Sequence, residues 1–258
     1  MAVSDLTVRG PKRAVVLAAG RGSRLGELTA ETPKPLMTLG DTTLLGRQLR
    51  QMEQRGVARV TVVVGYLEHV LREWLSKWPG QLDVHCVTNP DWAVTGSGAS
   101  LLYAIDEFTA GDGVLLTHGD IVYDDSILDE VLASGGTVVA ADRSWKSLTG
   151  DEVVAWSAGG RLAGVIKGAP PEGCEASGEF IGVSVFSAEF AAAFAQFCKG
   201  RSEHSRTEDY EQPLLSDFVG AGAQGTVAFT DHVHWMNVNY EDDLAHVRQH
   251  FAITATRD

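Results

Sequence analysis

The stretch Val15-Val16-Leu17-Ala18-Ala19-Gly20-Arg21-Gly22-Ser23-Arg24-Leu25-Gly26, with Thr32-Pro33-Lys34-Pro35-Leu36 close behind it, sets the tightest limit on how this chain folds. A short apolar run enters a glycine-rich loop, and such a run reads as a buried strand. Glycines carry no Cβ, so Gly20, Gly22 and Gly26 let the backbone turn sharply and approach a ligand closely. Backbone N–H groups in such a turn form an anion cradle. Arg21, Arg24 and Lys34 add fixed positive charge beside it. The chain as a whole carries a formal net charge of -13, so this basic cluster stands out from its background. Strand, phosphate-binding loop and helix in succession predict an α/β architecture.

Two familiar phosphate loops fail on spacing. A Walker loop needs Lys-Ser/Thr after its glycines, and none follows here. A dinucleotide fingerprint needs its third glycine where Leu25 stands; Gly26 falls one residue late. The segment from Leu17 to Leu36 instead resembles L-A-A-G-x-G-[ST]-R-L-x(n)-P-K-P-[LM], the signature of nucleotidyltransferases that include sugar-1-phosphate nucleotidylyltransferases and phosphocholine cytidylyltransferases. The resemblance implies that Leu17, Ala18, Ala19, Gly20, Gly22 and Ser23 cradle a nucleotide, and that Arg24 and Lys34 neutralise its triphosphate.

The 258 residues suffice for one sizeable core. A hydrophobic content of 44% and a charged content of 21% fit a soluble globular protein. No apolar run reaches membrane-span length, and residues 1–13 lack the apolar segment of a secretory signal. Three scattered cysteines, Cys86, Cys174 and Cys198, form no C-x-x-C pair, which fits a reducing cytoplasm. The acidic balance argues against a nucleic-acid surface, and nothing points to a membrane.

Apolar strands alternate with amphipathic helices through the first half. Strands are expected at Ala14–Leu17, Val60–Val64, Asp83–Thr88, Val114–Thr117 and Thr137–Ala141, and helices at Thr43–Gly56, Leu67–Trp78, Ser100–Phe108 and Ser126–Ser134. This predicts a mostly parallel, Rossmann-like sheet sandwiched by helices, with ligands at the carboxyl ends of its strands. After Asp142 the rhythm changes. Val153–Ser157 and Arg161–Ile166 flank Gly159-Gly160 as a hairpin, read as a small lid. A strand at Glu179–Phe186 follows, then helices at Ala188–Cys198 and Glu208–Val219, short strands at Thr226–Phe229 and His232–Val238, and a helix at Glu241–Phe251. Lys167–Ser177 reads as a loop. The expected organisation is a single domain over residues 1–258, with a nucleotide-binding half (14–142) and an acceptor-binding half (143–258).

Nucleotidyl transfer is governed by position and charge. Asp120 follows Leu115-Leu116-Thr117-His118-Gly119 and is delivered to the sheet edge where the first loop opens. The resemblance implies a Mg2+ ligand there; a cap on the next turn is the other use of such an aspartate. Asp124 and Asp125 read as caps of the next helix. Trp235-Met236-Asn237-Val238-Asn239 resembles the family's late metal-completing element, with asparagines where many relatives carry acids. Asn239 is taken as the second ligand, Asn237 is an alternative, and Asn239 as N-cap of the last helix competes with both. Asn89, Ser97 and Ser100 resemble a nucleobase-framing loop, although Ser97 and Ser100 also suit a helix cap.

The second half resembles the phosphocholine-cytidylyltransferase branch: Asp142-Arg143-Ser144-Trp145-Lys146, the hairpin ending at Lys167-Gly168, and Gly178-Glu179-Phe180-Ile181-Gly182-Val183. Lys167 is placed on the acceptor phosphate or phosphonate, with Arg143, Lys146 and Glu179 as further acceptor-side residues; Arg143 and Lys146 equally suit solvated charges. Arg201, His204 and Arg206 read as a surface patch. Trp92, Trp145, Trp156 and Trp235 suit a choline cage or ordinary packing. The expected activity is Mg2+-dependent transfer of CMP from CTP to a small phosphate or phosphonate acceptor. A sugar-1-phosphate uridylyl- or thymidylyltransferase and a catalytically inactive nucleotide-sensing module are the alternatives.

Overall fold

The first strand, Arg13–Leu17 (β1), is apolar on both sides because both faces of the sheet are covered: Val15 and Val16 are fully buried on opposite faces. A computed structural model of the chain describes residues 10–144, 152–168, 170–201, 206–230 and 234–251. After β1 come a small ribbon of Thr38–Leu39 (β2) and Thr42–Thr43 (β3), helix Leu44–Gln54 (α1), Arg59–Val64 (β4), Glu68–Ser76 (α2), Asp83–Thr88 (β5), Ser97–Tyr103 (α3), Val114–His118 (β6), Ile121–Tyr123 (β7), Asp125–Ala133 (α4) and Val138–Asp142 (β8). The second half adds Val153–Ala158 (β9), Arg161–Lys167 (β10), Glu175–Phe186 (β11), Ala188–Lys199 (α5), Leu214–Gly220 (α6), Thr226–Thr230 (β12), Trp235–Asn237 (β13) and Glu241–Phe251 (α7).

Nine strands make one sheet, ordered β10-β9-β11-β6-β1-β4-β5, with β8 bonded to β11 and β12 to β8. Its strands all run in one direction except β10 and β11. The parallel heart, β6-β1-β4-β5, carries alternating valines. Val16, Val60, Val62 and Val64 meet Leu45, Leu49 and Met52 of α1 and Leu71 of α2 on one face. On the other face Val15 and Val63 meet Leu101, Phe190, Phe194 and Leu214 from α3, α5 and α6. Each such side chain contributes about 1.5–3 kcal/mol by leaving water. Thr43 caps α1 by accepting from the Gly46 N–H at 3.0 Å. Among the described residues, no helix is long and apolar enough to cross a membrane, and the three cysteines are free.

The hairpin is present, with Gly159 (φ 55°) and Gly160 (φ 78°) in the left-handed region that a two-residue turn requires. It continues the main sheet: β9 pairs with β11, and β10 forms the outer edge. Other boundaries move for identifiable reasons. Helix α3 begins at Ser97 rather than Ser100, because the backbone N–H groups of Gly96 and Gly98 bond the carbonyls of Arg206 and Glu208, which satisfies the helix start from outside. A Cβ on Gly96 would collide with the Glu208 backbone, so only glycine allows this approach. Helix α6 starts after Pro213, which has no N–H to donate to a preceding turn. Strand β13 is shorter than expected and pairs with β7, a strand with no separate signal in the sequence.

Candidate active site

The geometry starts from register. Leu17 at the end of β1 pairs with His118 at the end of β6, and the Gly119 N–H donates to the Leu17 carbonyl at 2.9 Å. A Cβ on Gly119 would lie 3.0 Å from Ala18, so the two chain turns touch. Asp120 is therefore set down beside the glycine-rich loop. Gly22 adopts φ 68° and packs against the Lys34 stem, where an added Cβ would stand 3.0 Å from Lys34 Cδ. This contact fixes the lysine, whose side chain is only 6% exposed.

Lys34 Nζ donates to Asp120 Oδ2 at 2.6 Å and to Asn239 Oδ1 at 3.0 Å. Arg24 Nη2 donates to the same Asn239 oxygen at 2.9 Å. Four residues from three well-separated stretches of sequence thus meet in one constellation. Burial pushes the Asp120 carboxyl up, but the Lys34 ammonium, then His118, outweigh it and hold it below the usual carboxylate range. The start of α7 is held by another residue: Asp243 Oδ2 accepts from the N–H groups of both Asn239 and Tyr240 at 2.8 Å. The Asn239 side chain is thus free of capping and turned to the lysine and arginine. Asn237 lines the neighbouring cavity with a buried Oδ1 that has no hydrogen-bond partner among the described residues.

This constellation borders a cavity of about 490 Å³. Leu17, Ala18, Gly20, Gly22, Lys34 and Pro35 line it from the first loop, and Ser97 and Asp120 from the sheet edge. Among the described residues nothing lies within 4 Å of a Cβ placed on Gly20, which leaves room beside its backbone. Val153, Val165, Ile166 and Lys167 line it from the hairpin. Lys167 is therefore brought to the same cavity as Lys34.

Other sequence-predicted residues are placed elsewhere. Asn89 is 1% exposed, and its amide is used within its own loop: Nδ2 donates to Thr95 and Ser100 at 3.0 and 3.1 Å, and Oδ1 accepts from the Asp91 N–H. Asn89 and buried Ser100 shape the loop and do not line the cavity. Ala19 is buried, and its carbonyl accepts from the Tyr66 N–H. Ser23 is exposed at the start of a 3₁₀ turn, Ser23–Thr29. The Arg143 guanidinium stacks on Phe229, 3.4 Å from the ring centroid, away from the cavity lining. Glu179 also stays off the lining; burial, Glu152 and Asp142 raise its carboxyl to about 7. Lys146, Trp145 and His204 lie outside the described residues. Trp92 packs against Gly65 and Tyr66, Trp156 is 4% exposed within β9, and Trp235 donates to Asp142 Oδ2 at 2.9 Å; none of the three lines the cavity. Arg201 pairs with Asp217, and Arg206 stands 3.8 Å from Asp91.

Sequence reasoning missed one wall of the cavity, formed by His118 and by Glu208, Asp209, Glu211 and Gln212. His118 Nε2 stands 2.9 Å from Glu211 Oε1, and His118 packs edge-on against Tyr210 and Phe180. Burial alone would lower the imidazole, but Glu211, and less strongly Asp120 and Asp209, raise it to about 9. The polar run Glu208-Asp209-Tyr210-Glu211 was the available signal; its reading as helix concealed that it folds back across the N-terminus of α3.

The sequence matches the MobA-like NTP transferase domain family over residues 14–212. Over 144 residues it is 38% identical to the CMP-5'-(3-aminopropyl)phosphonate synthase of Streptomyces rubellomurinus, a match covering 55% of this chain and 23% of that protein. The chain thus spans less than a quarter of that relative's length. It is 28% identical over 184 residues to the 2-aminoethylphosphonate cytidylyltransferase of Lancefieldella rimae, covering 71% of this chain and 70% of the relative. The inositol-1-phosphate CTP transferase of T. maritima superposes with a TM-score of 0.76 at 16% identity, over 96% of this chain and 98% of that one. The CTP:phosphocholine cytidylyltransferase of Streptococcus pneumoniae gives 0.68 at 17% identity, over 92% and 97%. These two likenesses establish the Rossmann-like nucleotidyltransferase fold. The chain belongs to the MobA-like NTP transferase domain family.

Proposed function

We propose that the chain transfers CMP from CTP to a small phosphonate or phosphate acceptor. An acceptor oxygen attacks the α-phosphorus of CTP, forming a new P–O bond. The α–β bridging P–O bond breaks, and its electron pair leaves with pyrophosphate. The observation that carries this reading is the meeting of Lys34, Arg24, Asp120 and Asn239 beside a cavity whose far lining includes Lys167. Lys34 and Arg24 would neutralise the triphosphate, and Lys167 would hold the acceptor anion in line. The gain comes from charge stabilisation and alignment, with no protein nucleophile. The names of the two relatives above, both concerned with aminoalkylphosphonates and cytidylyl chemistry, support CTP and a phosphonate acceptor over a sugar phosphate.

The donor set suits Mg2+. Asp120 Oδ2 and Asn239 Oδ1 converge on one point, now held by Lys34 Nζ, and Asn237 Oδ1 has no partner among the described residues. All three are hard oxygens. Among the described residues no group of three or more His, Cys, Asp or Glu could hold an ion, so phosphate oxygens would complete such a site. When bound, the cation supplies additional charge neutralisation to the triphosphate. The test is pyrophosphate release with CTP, UTP, dTTP and GTP against small phosphonates, small phosphate esters and glucose-1-phosphate, with Mg2+ titrated. CTP with a compact acceptor is expected to lead. Turnover of a hexose-1-phosphate alone refutes the reading, and so does nucleotide binding with no turnover of any acceptor.

A further inference from the structure

Resting on the cytidylyltransferase reading, one feature of the cavity narrows the acceptor further. Glu211 is 4% exposed, yet it borders the cavity. Its Oε1 faces His118, while its Oε2 is buried with no hydrogen-bond partner among the described residues. An unmatched buried polar group costs on the order of 1–3 kcal/mol, and more when charged. A ligand that donates a hydrogen bond removes that cost. Glu208 and Asp209 line the same stretch of wall, and Asp209 Oδ1 is anchored there by the Ser97 hydroxyl at 3.1 Å. The lysines of the lining, Lys34 and Lys167, come from the first loop and the hairpin. The cavity therefore has cationic groups suited to one end of a ligand and a carboxylate wall suited to another. Its described lining contains no Phe, Tyr or Trp.

We propose that the acceptor is a short aminoalkyl phosphonate or phosphate ester, and that Glu211 Oε2 accepts a hydrogen bond from its primary ammonium group within the negative field of Asp209 and Glu208. A trimethylammonium group has no N–H to offer Oε2, and it favours aromatic faces that this lining lacks. An alkyl tail leaves Oε2 unmatched, and a carboxylate tail is repelled by the wall.

The experiment measures pyrophosphate release by the full chain at saturating CTP. The acceptors are 2-aminoethylphosphonate, phosphoethanolamine, propylphosphonate (a methyl in place of the ammonium) and phosphocholine. A charged hydrogen bond corresponds to an advantage of about 10- to 100-fold in kcat/KM for the primary amines over propylphosphonate and phosphocholine. The ratio between the two amines tells phosphonate from phosphate ester. In Glu211→Gln the amine-to-alkyl ratio is expected to collapse, through a raised KM for the amines. If that variant does not fold, the wild-type ratios still decide for or against an ammonium-selective acceptor site, and Asp209→Asn reports on the field of the wall. Equal use of propylphosphonate and aminoethylphosphonate, or preference for phosphocholine, overturns the ammonium site and leaves the cytidylyltransferase reading standing. An unchanged ratio in a folded Glu211→Gln protein overturns the role of Glu211. Failure of CTP with every acceptor overturns the underlying reading and this inference with it.

Discussion

Replacing Lys34 with methionine keeps most of the side-chain volume that packs on Gly22 and removes the charge. At 2.6 Å and an effective dielectric near 20, the Lys34–Asp120 attraction is about 6 kcal/mol. Against it stands the desolvation of a nearly buried ammonium, several kcal/mol. The two largely cancel. Asp120 keeps 30% of its side-chain surface open, so it regains hydration when the lysine goes. The expected loss of stability is therefore about 1–3 kcal/mol, less than a domain of this size has in hand. The expected loss of turnover is larger. A fixed cation on the developing charge of the transition state is worth about 3–4 kcal/mol, or roughly 10²–10³ in kcat. The assay is pyrophosphate release at saturating CTP, with the thermal midpoint measured on the same samples. A folded Lys34→Met enzyme whose kcat stays within about threefold of wild type would falsify the assignment of Lys34 to the triphosphate.

Asn239→Ala should depress turnover by about 10²-fold while α7 stays intact by circular dichroism, because Asp243 holds the start of that helix. Asp243→Ala should do the reverse, lowering stability by about 1 kcal/mol with much of the activity retained; matching effects from the two substitutions would contradict the division of roles. Asn239→Asp, adding a carboxylate beside Arg24 and Lys34, should retain activity under a Mg2+ titration. Lys167→Ala should raise the apparent KM of the acceptor and lower kcat while leaving the KM of CTP nearly unchanged; a shift confined to CTP argues against it. Glu179 has a carboxyl raised to about 7 by burial and by Glu152 and Asp142, so the folded state favours its protonated form. Its contribution is fully present below about pH 4.5 and is lost as pH rises towards 7. The thermal midpoint of Glu179→Gln relative to wild type should therefore climb between those values and level off above them, whereas a pH-independent difference would show that Glu179 is not strained by ionisation.

What the sequence made legible is what lies close together along it. The run from Leu17 to Leu36 carries its own strand, turn and lysine, so the loop was readable without knowledge of the rest. Asp120 was readable because an apolar strand points to its own carboxyl end. Asn239 was ambiguous because Asn239 and Asp243 are both good capping residues, and only the folded turn decides which one caps. Asn89 and Ser100 resemble nucleobase-framing groups in the sequence, but their loop closes on itself and uses their hydrogen bonds internally. The resemblance offers Arg143 as an acceptor-side residue or a solvated charge; its actual place on Phe229 depends on β12 pairing with β8, which no local signal announces. The pairing of His118 with Glu211 depends on the segment before α6 crossing to α3, and neither segment signals the other.

The long strand β11 has a consequence for synthesis of the chain. Val114 and Leu115 of β6 find their second neighbour only in Phe186 and Val185. A nascent chain that has emerged only as far as β8 therefore exposes an unpaired, apolar edge on β6 and leaves β8 without its partners β11 and β12, templates for pairing with another molecule. Pausing of the ribosome between Asp142 and Phe186 prolongs that exposure, and a fragment ending at β8 is expected to precipitate when expressed alone. The strand that lies between β6 and β9 is thus the step on which soluble production of the chain depends.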